Sequence, residues 1–92
     1  MNKIIIYIVH SPNCEKCKRM ILDVEEVISN KKNIEFQKLD YTVDEFSKKA
    51  INLAIENDIE EIPFCIILKN KQKFKFTFED FNKEKINEIL NI

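Results

Sequence analysis

The sequence predicts an α/β domain with the element order β-α-β-α-β-β-α, in which a four-stranded mixed sheet carries helices on both faces. Three observations predict it. Residues 3–9 and 64–68 are continuously apolar and rich in β-branched side chains, as expected of central strands that are covered on both faces. The segments that follow the first two strands have apolar residues at spacings of three and four, which is the period of an amphipathic helix. Residues 73–78 alternate between apolar and polar side chains, which is typical of a strand with one solvated face.

The first strand, residues 3–9, ends in the loop sequence "HSPN", and from about Cys14 the pattern becomes helical. The apolar face of this helix consists of Cys17, Met20, Ile21, Val24, Val27 and Ile28. The chain contains no glycine. We therefore expect the helix to stop in residues 29–33, where Asn30 or Asn33 can take the left-handed conformation that glycine usually supplies.

A second strand, residues 34–41, is more polar than the first, which places it nearer an edge of the sheet. The connection between these two strands is expected to be right-handed, so that they run parallel. Thr42 or Asp44 is the expected cap of a second helix, which persists to about Asn57. Its apolar stripe consists of Phe46, Ala50, Leu53 and Ala54.

Residues 64–68 form the third strand and residues 73–78 the fourth, joined by a tight turn in which Asn70 is the expected positive-φ residue. In the fourth strand, the side chains expected to face the core are Phe74, Phe76 and Phe78. Those expected to face solvent are Lys73, Lys75 and Thr77. Lysines in such a strand are typical of a protected sheet edge. Residues 82–92 close the chain as a short amphipathic helix.

The size and charge of the chain exclude several classes of protein. Its 92 residues fit one domain, residues 1–92, for which we expect a monomer. Basic and acidic side chains number 15 and 16, so no basic excess points to nucleic acid. The apolar run at residues 3–9 is too short to span a membrane, and no small-residue cleavage site follows it. We therefore expect a cytoplasmic protein that does not bind membranes.

The cysteines carry the chemistry. Their odd number, three, fits a disulfide-stapled secreted protein poorly, whereas a Cys-x-x-Cys pair in a reducing cytosol is typically catalytic or metal-binding. Cys14 lies where a central strand passes into the first turn of a helix, and the unpaired N–H groups there favour a thiolate and lower the pKa of this thiol. Cys17, one turn later, can displace the mixed disulfide that Cys14 forms. Lys16 and two further cations add positive potential, against Glu15.

Pro63 is the second feature of a candidate site. A proline cannot donate to a strand ladder, yet this one opens a predicted central strand, opposite the Cys14 loop. A cis Ile62–Pro63 bond would expose the backbone of Ile62, whose peptide groups could then pair with an extended substrate.

These segments resemble the thioredoxin superfamily, in its short glutaredoxin-like form that starts at the strand before the cysteines. The resemblance rests on "HSPNCEKC", "IEFQKLD", "EIPFCIILKNK" and "NKEKINEIL", and covers essentially the whole chain. It implies a thioredoxin-like fold and a thiol–disulfide oxidoreductase with Cys14 as nucleophile and Cys17 as resolving thiol. It also implies a cis, substrate-facing Pro63. The residues expected to bind substrate are Pro12, Lys16, Ile62, Pro63 and Asp80.

The resemblance also implies the partners. They are disulfide-containing proteins and, as electron donor, a thioredoxin-type reductase or glutathione, with no metal or organic cofactor required. The sequence departs from the family at three places. Asn13 stands where thioredoxins usually have Trp, and Ile8 is near the place of their buried acid. "TFEDF" replaces the Gly-Gly pair of glutaredoxins, although its Asp80 can receive the α-amino group of glutathione.

Other interpretations of the cysteines remain. Cys14 and Cys17 could be a chance pair, or could bind a metal ion with His10 and Cys65 as the further ligands. A binding module of the same fold would hold a partner or a soft metal ion without turnover, and in a degenerate interaction domain the thiols would be incidental. Cys65 is expected to be a small buried hydrophobe. His10 lies close enough in sequence to influence the Cys14 thiolate.

Overall fold

The computed structural model describes residues 3–91 and contains seven elements in the predicted order. They are β1 (Ile4–His10), α1 (Glu15–Ile28), β2 (Ile34–Asp40), α2 (Asp44–Glu56), β3 (Phe64–Lys69), β4 (Gln72–Thr77) and α3 (Lys83–Asn91). Ile92, which the sequence assigns to the last helix, lies outside the described residues, as do Met1 and Asn2. No helix in the described part of the chain has the length and apolar composition that a membrane span requires.

The four strands form one mixed sheet in the order β2-β1-β3-β4. β1 is parallel to β2 and antiparallel to β3, and β3 and β4 form an antiparallel hairpin. The two continuously apolar strands are therefore central and the two more polar strands lie at the edges, which confirms the prediction. The reason is physical, since only a central strand covered on both faces can bury every side chain.

The helices cover both faces of the sheet, and each face has its own core. Because successive side chains of a strand point to opposite faces, β1 and β3 supply both cores. The core under α1 and α3 consists of Ile4, Ile6, Ile8, Met20, Val24, Cys65, Ile67, Ile86 and Leu90. The core under α2 consists of Tyr7, Val9, Leu39, Ala50, Phe64 and Ile66.

The turns of this glycine-free chain use asparagine and aspartate. Asn33 and Asn70 have φ of 63° and 56°, as the sequence predicted, and Asn30 is not among the positive-φ residues. Asn13 and Asp58, at 59° and 55°, were not predicted to be left-handed. Short polar side chains tolerate this conformation because they hydrogen-bond locally. Asn13 thus bends the chain immediately before the first cysteine.

The start of α2 differs from the prediction. Neither Thr42 nor Asp44 caps this helix, because its N-cap residue is Val43, which makes no side-chain capping bond. Thr42 instead closes the preceding turn, where its hydroxyl and its N–H donate to the Asp40 carboxylate at 2.6 and 2.9 Å. These two bonds hold the pKa of Asp40 below its ordinary value, and the bond from the hydroxyl has the larger effect.

Candidate active site at the start of helix α1

The candidate site lies where three chain segments end or begin. The edge of the sheet that it occupies is the one formed by the ends of the strands, not by an outer strand. Val9 in β1 pairs with Phe64 in β3, and Phe64 pairs in turn with Thr77 in β4. The loop that carries Cys14 follows the end of β1, Pro63 immediately precedes β3, and a short turn follows β4. The segments that the sequence singled out therefore meet at the same edge.

Cys14 and Cys17 form a disulfide across the first turn of α1, with Cα atoms 5.2 Å apart. Cys14 is the N-cap of the helix, and its sulfur accepts a hydrogen bond from the Cys17 N–H at 3.1 Å. The sulfur thus takes the place of the Ser, Thr, Asp or Asn oxygen that usually caps a helix. Cys14 is half-buried, whereas Cys17 is 1% exposed. Of the two cysteines, Cys14 is therefore the one that a partner can reach.

The charged residues of the first turn are arranged unevenly. The Lys16 ammonium lies over the Phe78 ring, 5.5 Å from its centre, beside the end of β4. Lys18 pairs with Glu15 at 3.8 Å, on the solvent side of the helix. Pro12 is exposed in the loop before the cysteines. Of these cations, Lys16 is therefore the one held towards the strands.

The Ile62–Pro63 peptide bond is cis, which confirms the geometry that the sequence predicted. Pro63 is buried and Ile62 is half-buried. In residues 3–91, no turn or loop hydrogen bond uses the backbone of Ile62. The peptide groups of Ile62 are thus open to a partner, although the substrate-facing role of Ile62 and Pro63 stays a prediction.

Asp80 lies in the turn between β4 and α3. It is exposed, and one carboxylate oxygen accepts a hydrogen bond from the Thr77 hydroxyl at 3.1 Å. Because Thr77 is the last residue of β4, this bond holds Asp80 at the edge of the sheet that carries the disulfide. Its proposed contact with the glutathione amino group stays a prediction.

The residues that a metal site would require lie apart. Cys65 is fully buried in β3, where it pairs with Ile8 across the strands and packs in the core under α1 and α3. His10 ends β1 and pairs with Asp40 of the neighbouring strand. Within residues 3–91, no three His, Cys, Asp or Glu side chains are grouped as metal ligands. The set that the metal interpretation needed is therefore not assembled.

Cys65 is expected to be chemically inert in the folded protein. Burial raises the pKa of its thiol to about 12. At pH 8 only about one thiol in ten thousand is then ionised, and the thiolate is the reactive form. We expect iodoacetamide to label Cys14 in the reduced native protein and to leave Cys65 unmodified until denaturant is added, as read by peptide mass spectrometry. Labelling of Cys65 in the native protein at a rate similar to that of Cys14 would contradict this assignment.

The sequence did not reveal an apolar groove on the α2 side of the site. This depression of about 260 Å³ reaches from Ile62 to α2. Its lining includes Tyr41, Ile51, Ala54, Ile59, Glu60 and Ile62. One sequence signal could have revealed it, because Ile51 lies outside the buried stripe of α2 and is nonetheless apolar. It is 52% exposed.

Fold and site together define a thioredoxin-fold protein with a Cys-x-x-Cys disulfide at the start of its first helix. No protein-family model matches the sequence, and no curated protein sequence matches it either. The solved structures that it resembles include several thioredoxins, at low sequence identity.

Three of these structures illustrate the likeness. Oxidised thioredoxin O2 of Arabidopsis thaliana superposes with a TM-score of 0.72 at 11% identity, over 97% of this chain and 73% of that one. The thioredoxin of Fasciola hepatica superposes with a TM-score of 0.66 at 19% identity, over 97% of this chain and 79% of that one. Oxidised mitochondrial thioredoxin 3 of Saccharomyces cerevisiae superposes with a TM-score of 0.67 at 17% identity, over 99% of this chain and 79% of that one. The thioredoxin-like fold that the sequence predicted is confirmed.

Proposed function

We propose that this protein is a small thiol–disulfide oxidoreductase that reduces disulfides of proteins or of low-molecular-weight compounds through Cys14 and Cys17. The observation that carries the proposal is the unequal exposure of the two cysteines. Cys14, half-buried at the tip of α1, is accessible to a substrate, whereas Cys17 is 1% exposed and is bonded to Cys14 alone. An accessible thiol can attack a foreign disulfide, and a buried one can attack only its neighbour.

The reaction consists of two exchanges. In the reduced protein the Cys14 thiolate attacks one sulfur of the substrate disulfide, and the other substrate sulfur leaves as a thiolate and takes up a proton. Cys17 then loses its proton and attacks the Cys14 sulfur. The second substrate thiol leaves, and the Cys14–Cys17 disulfide forms. Two electrons pass from the protein dithiol to the substrate.

The start of α1 favours the thiolate that this reaction requires. After reduction, the Cys17 N–H that donates to the Cys14 sulfur at 3.1 Å can stabilise a negative charge on it. The other unpaired N–H groups of the first turn add to this effect. Glu15 opposes it, but pairs with Lys18. The net effect is an attacking sulfur whose ionised form is stabilised by the helix.

Five residues are proposed to contact substrates or glutathione: Pro12, Lys16, Ile62, Pro63 and Asp80. The free backbone groups of Ile62 support pairing with an extended polypeptide substrate. The position of Asp80 at the same edge supports a contact with glutathione. We place the reaction in the cytoplasm, where either glutathione or a thioredoxin-type reductase would regenerate the dithiol.

Turnover assays test this proposal. The protein is expected to reduce insulin or hydroxyethyl disulfide with either glutathione and glutathione reductase or thioredoxin reductase and NADPH as the electron supply. The Cys14→Ser variant, which lacks the attacking sulfur, should fall to the rate of uncatalysed exchange. Absence of turnover with both donors, or full activity of Cys14→Ser, would refute the proposal. Metal retained stoichiometrically without turnover would instead favour the binding module.

A further inference from the structure

We infer that the apolar groove beside Pro63 selects polypeptide substrates whose reactive cysteine is flanked by aliphatic and basic residues. The inference rests on the proposed function, which supplies the disulfide exchange. It adds the chemical character of the substrate segment, which the cysteines do not specify.

The groove offers apolar surface that faces solvent. Ile62 borders its proline end, and Ile51, 52% exposed, lies on its helix side. A second depression, of about 320 Å³, shares Ile51, Ala54 and Ile59 with the first and extends to Ile55, which is 73% exposed. An apolar surface that continues along a helix in this way is typical of a site that binds a partner.

The fold does not need these exposed isoleucines. α2 packs on the sheet through a separate stripe, in which Ala50 is 1% exposed and Leu53 is half-buried. Ile51 and Ile55 point away from that stripe. Their burial by an aliphatic side chain would remove apolar area from water that folding leaves exposed, and this favours binding.

The rim of the groove is acidic. Glu60 and Glu61 line it and Asp58 lines its continuation, and all three are exposed. Within residues 3–91, neither Glu60 nor Glu61 forms an ion pair, and no lysine or arginine lines either depression. A lysine or arginine of the partner would therefore meet the unpaired carboxylates of Glu60 and Glu61, whereas next to Asp58 the Lys75 ammonium already donates to the Asn57 carbonyl at 3.0 Å.

The groove opens at the edge of the sheet that carries the disulfide. Val9 and Phe64, which line it, form the last pair of β1 and β3 before the Cys14 loop and Pro63. A segment that pairs with the Ile62 backbone and presents its cysteine to Cys14 runs past this opening. Because alternate side chains of an extended chain point the same way, the two residues next to the cysteine lie on one side of the segment and can enter the groove, while the residues beyond them lie on the other side and can reach its rim.

The opposite flank of the site lacks this character. There a shallow depression contains Leu22 and Phe78 together with charges of both signs: Glu15, Lys16, Lys18, Arg19 and Asp23. Mixed charges discriminate weakly between acidic and basic partners. The preference for a basic segment therefore comes from the α2 side.

Three short peptides test the inference: Lys-Leu-Cys-Leu-Lys, Glu-Leu-Cys-Leu-Glu and Lys-Ser-Cys-Ser-Lys, each as a mixed disulfide with 5-thio-2-nitrobenzoate. The reduced protein gives up two electrons, becomes the Cys14–Cys17 disulfide, and releases the peptide thiol and the coloured thionitrobenzoate. We expect the first peptide to react roughly tenfold faster than either of the others at low ionic strength. The difference between the Lys and Glu peptides should shrink at high salt.

Variants of the protein show which residues produce the preference for lysine and the preference for leucine. The double variant E60Q/E61Q should lose most of the Lys-over-Glu preference, whereas E84Q/E88Q on α3, which changes the net charge equally, should keep it. The variant I51S should lose most of the Leu-over-Ser preference, whereas L22S, at another exposed apolar position on α1, should keep it. Each preference is a ratio of two rates within one variant, so a loss of active protein does not alter it.

The outcomes separate the two proposals. Equal rates for the three peptides, with normal reduction of hydroxyethyl disulfide by the wild type, would overturn this inference and leave the proposed function intact. The inference would also be overturned if E60Q/E61Q left the Lys-over-Glu rate ratio unchanged and I51S left the Leu-over-Ser rate ratio unchanged. A dimer in solution that I51S dissociates would assign the groove to a second copy of the chain and overturn the inference. Failure to reduce any disulfide would overturn both.

Discussion

The Cys17→Ser variant is expected to accumulate a stoichiometric mixed disulfide between Cys14 and its substrate. Cys14 can still attack, but the buried thiol that would release the product is missing. Non-reducing mass spectrometry after mixing with an excess of a small disulfide measures the adduct. The wild-type protein should show only its internal disulfide under the same conditions.

Cys14→Ser is the matched control, because it keeps one thiol of the pair and removes the accessible one. We expect no adduct on Cys17, which is 1% exposed. An adduct on Cys17 that forms as fast as the adduct on Cys14 would show that the assigned roles are reversed. A disulfide between Cys14 and Cys65 in the Cys17→Ser variant would show that the buried thiol of β3 takes part in exchange.

The Ile86→Ala variant is expected to lower the free energy of unfolding by about 2–5 kcal/mol. Ile86 is fully buried on α3 and packs in the core that this helix shares with α1 and the sheet. Its truncation removes buried apolar area and leaves a cavity. Urea denaturation of the oxidised protein measures the change.

Ile55→Ala is the matched control, since it makes the same substitution in a helix at a position that is 73% exposed. Its effect on the free energy of unfolding should stay within about 0.5 kcal/mol, as for other surface substitutions. Equal losses for the two variants would mean that α3 does not pack on the sheet as described. The comparison therefore tests the packing rather than the general sensitivity of the chain to alanine.

The sheet could be predicted from the sequence because its central and outer strands differ in their pattern of apolar and polar side chains. A run such as residues 64–68 has no polar face, so it must lie between two layers. The alternation of apolar and polar side chains in residues 73–78 is that of a strand with one face exposed to solvent. Proline chemistry singles out Pro63 only as a residue that cannot donate to the ladder, and its cis bond was predicted from the resemblance to the thioredoxin superfamily.

Features that depend on contacts between distant residues were not predictable. Lys69 is buried at the end of β3, where its ammonium donates to the Ile89 carbonyl at 2.6 Å, and local sequence does not reveal that the end of α3 lies there. The predicted cap of α2 was wrong because Thr42 bonds to the Asp40 carboxylate, so that the helix starts after Val43. The groove was not predictable because it joins Ile62 to α2 residues that are distant in sequence.

The turns of this chain have a consequence for its unfolded state. A glycine in a left-handed turn has no steric cost, but it multiplies the conformations open to the unfolded chain. At all four left-handed positions between residues 3 and 91, this protein has asparagine or aspartate instead. Each accepts a steric cost of about 1 kcal/mol in the folded turn and restricts the unfolded chain by a similar amount. At these turns the protein therefore exchanges an entropic cost in the unfolded chain for a steric cost in the folded one, with little net change in the free energy of unfolding.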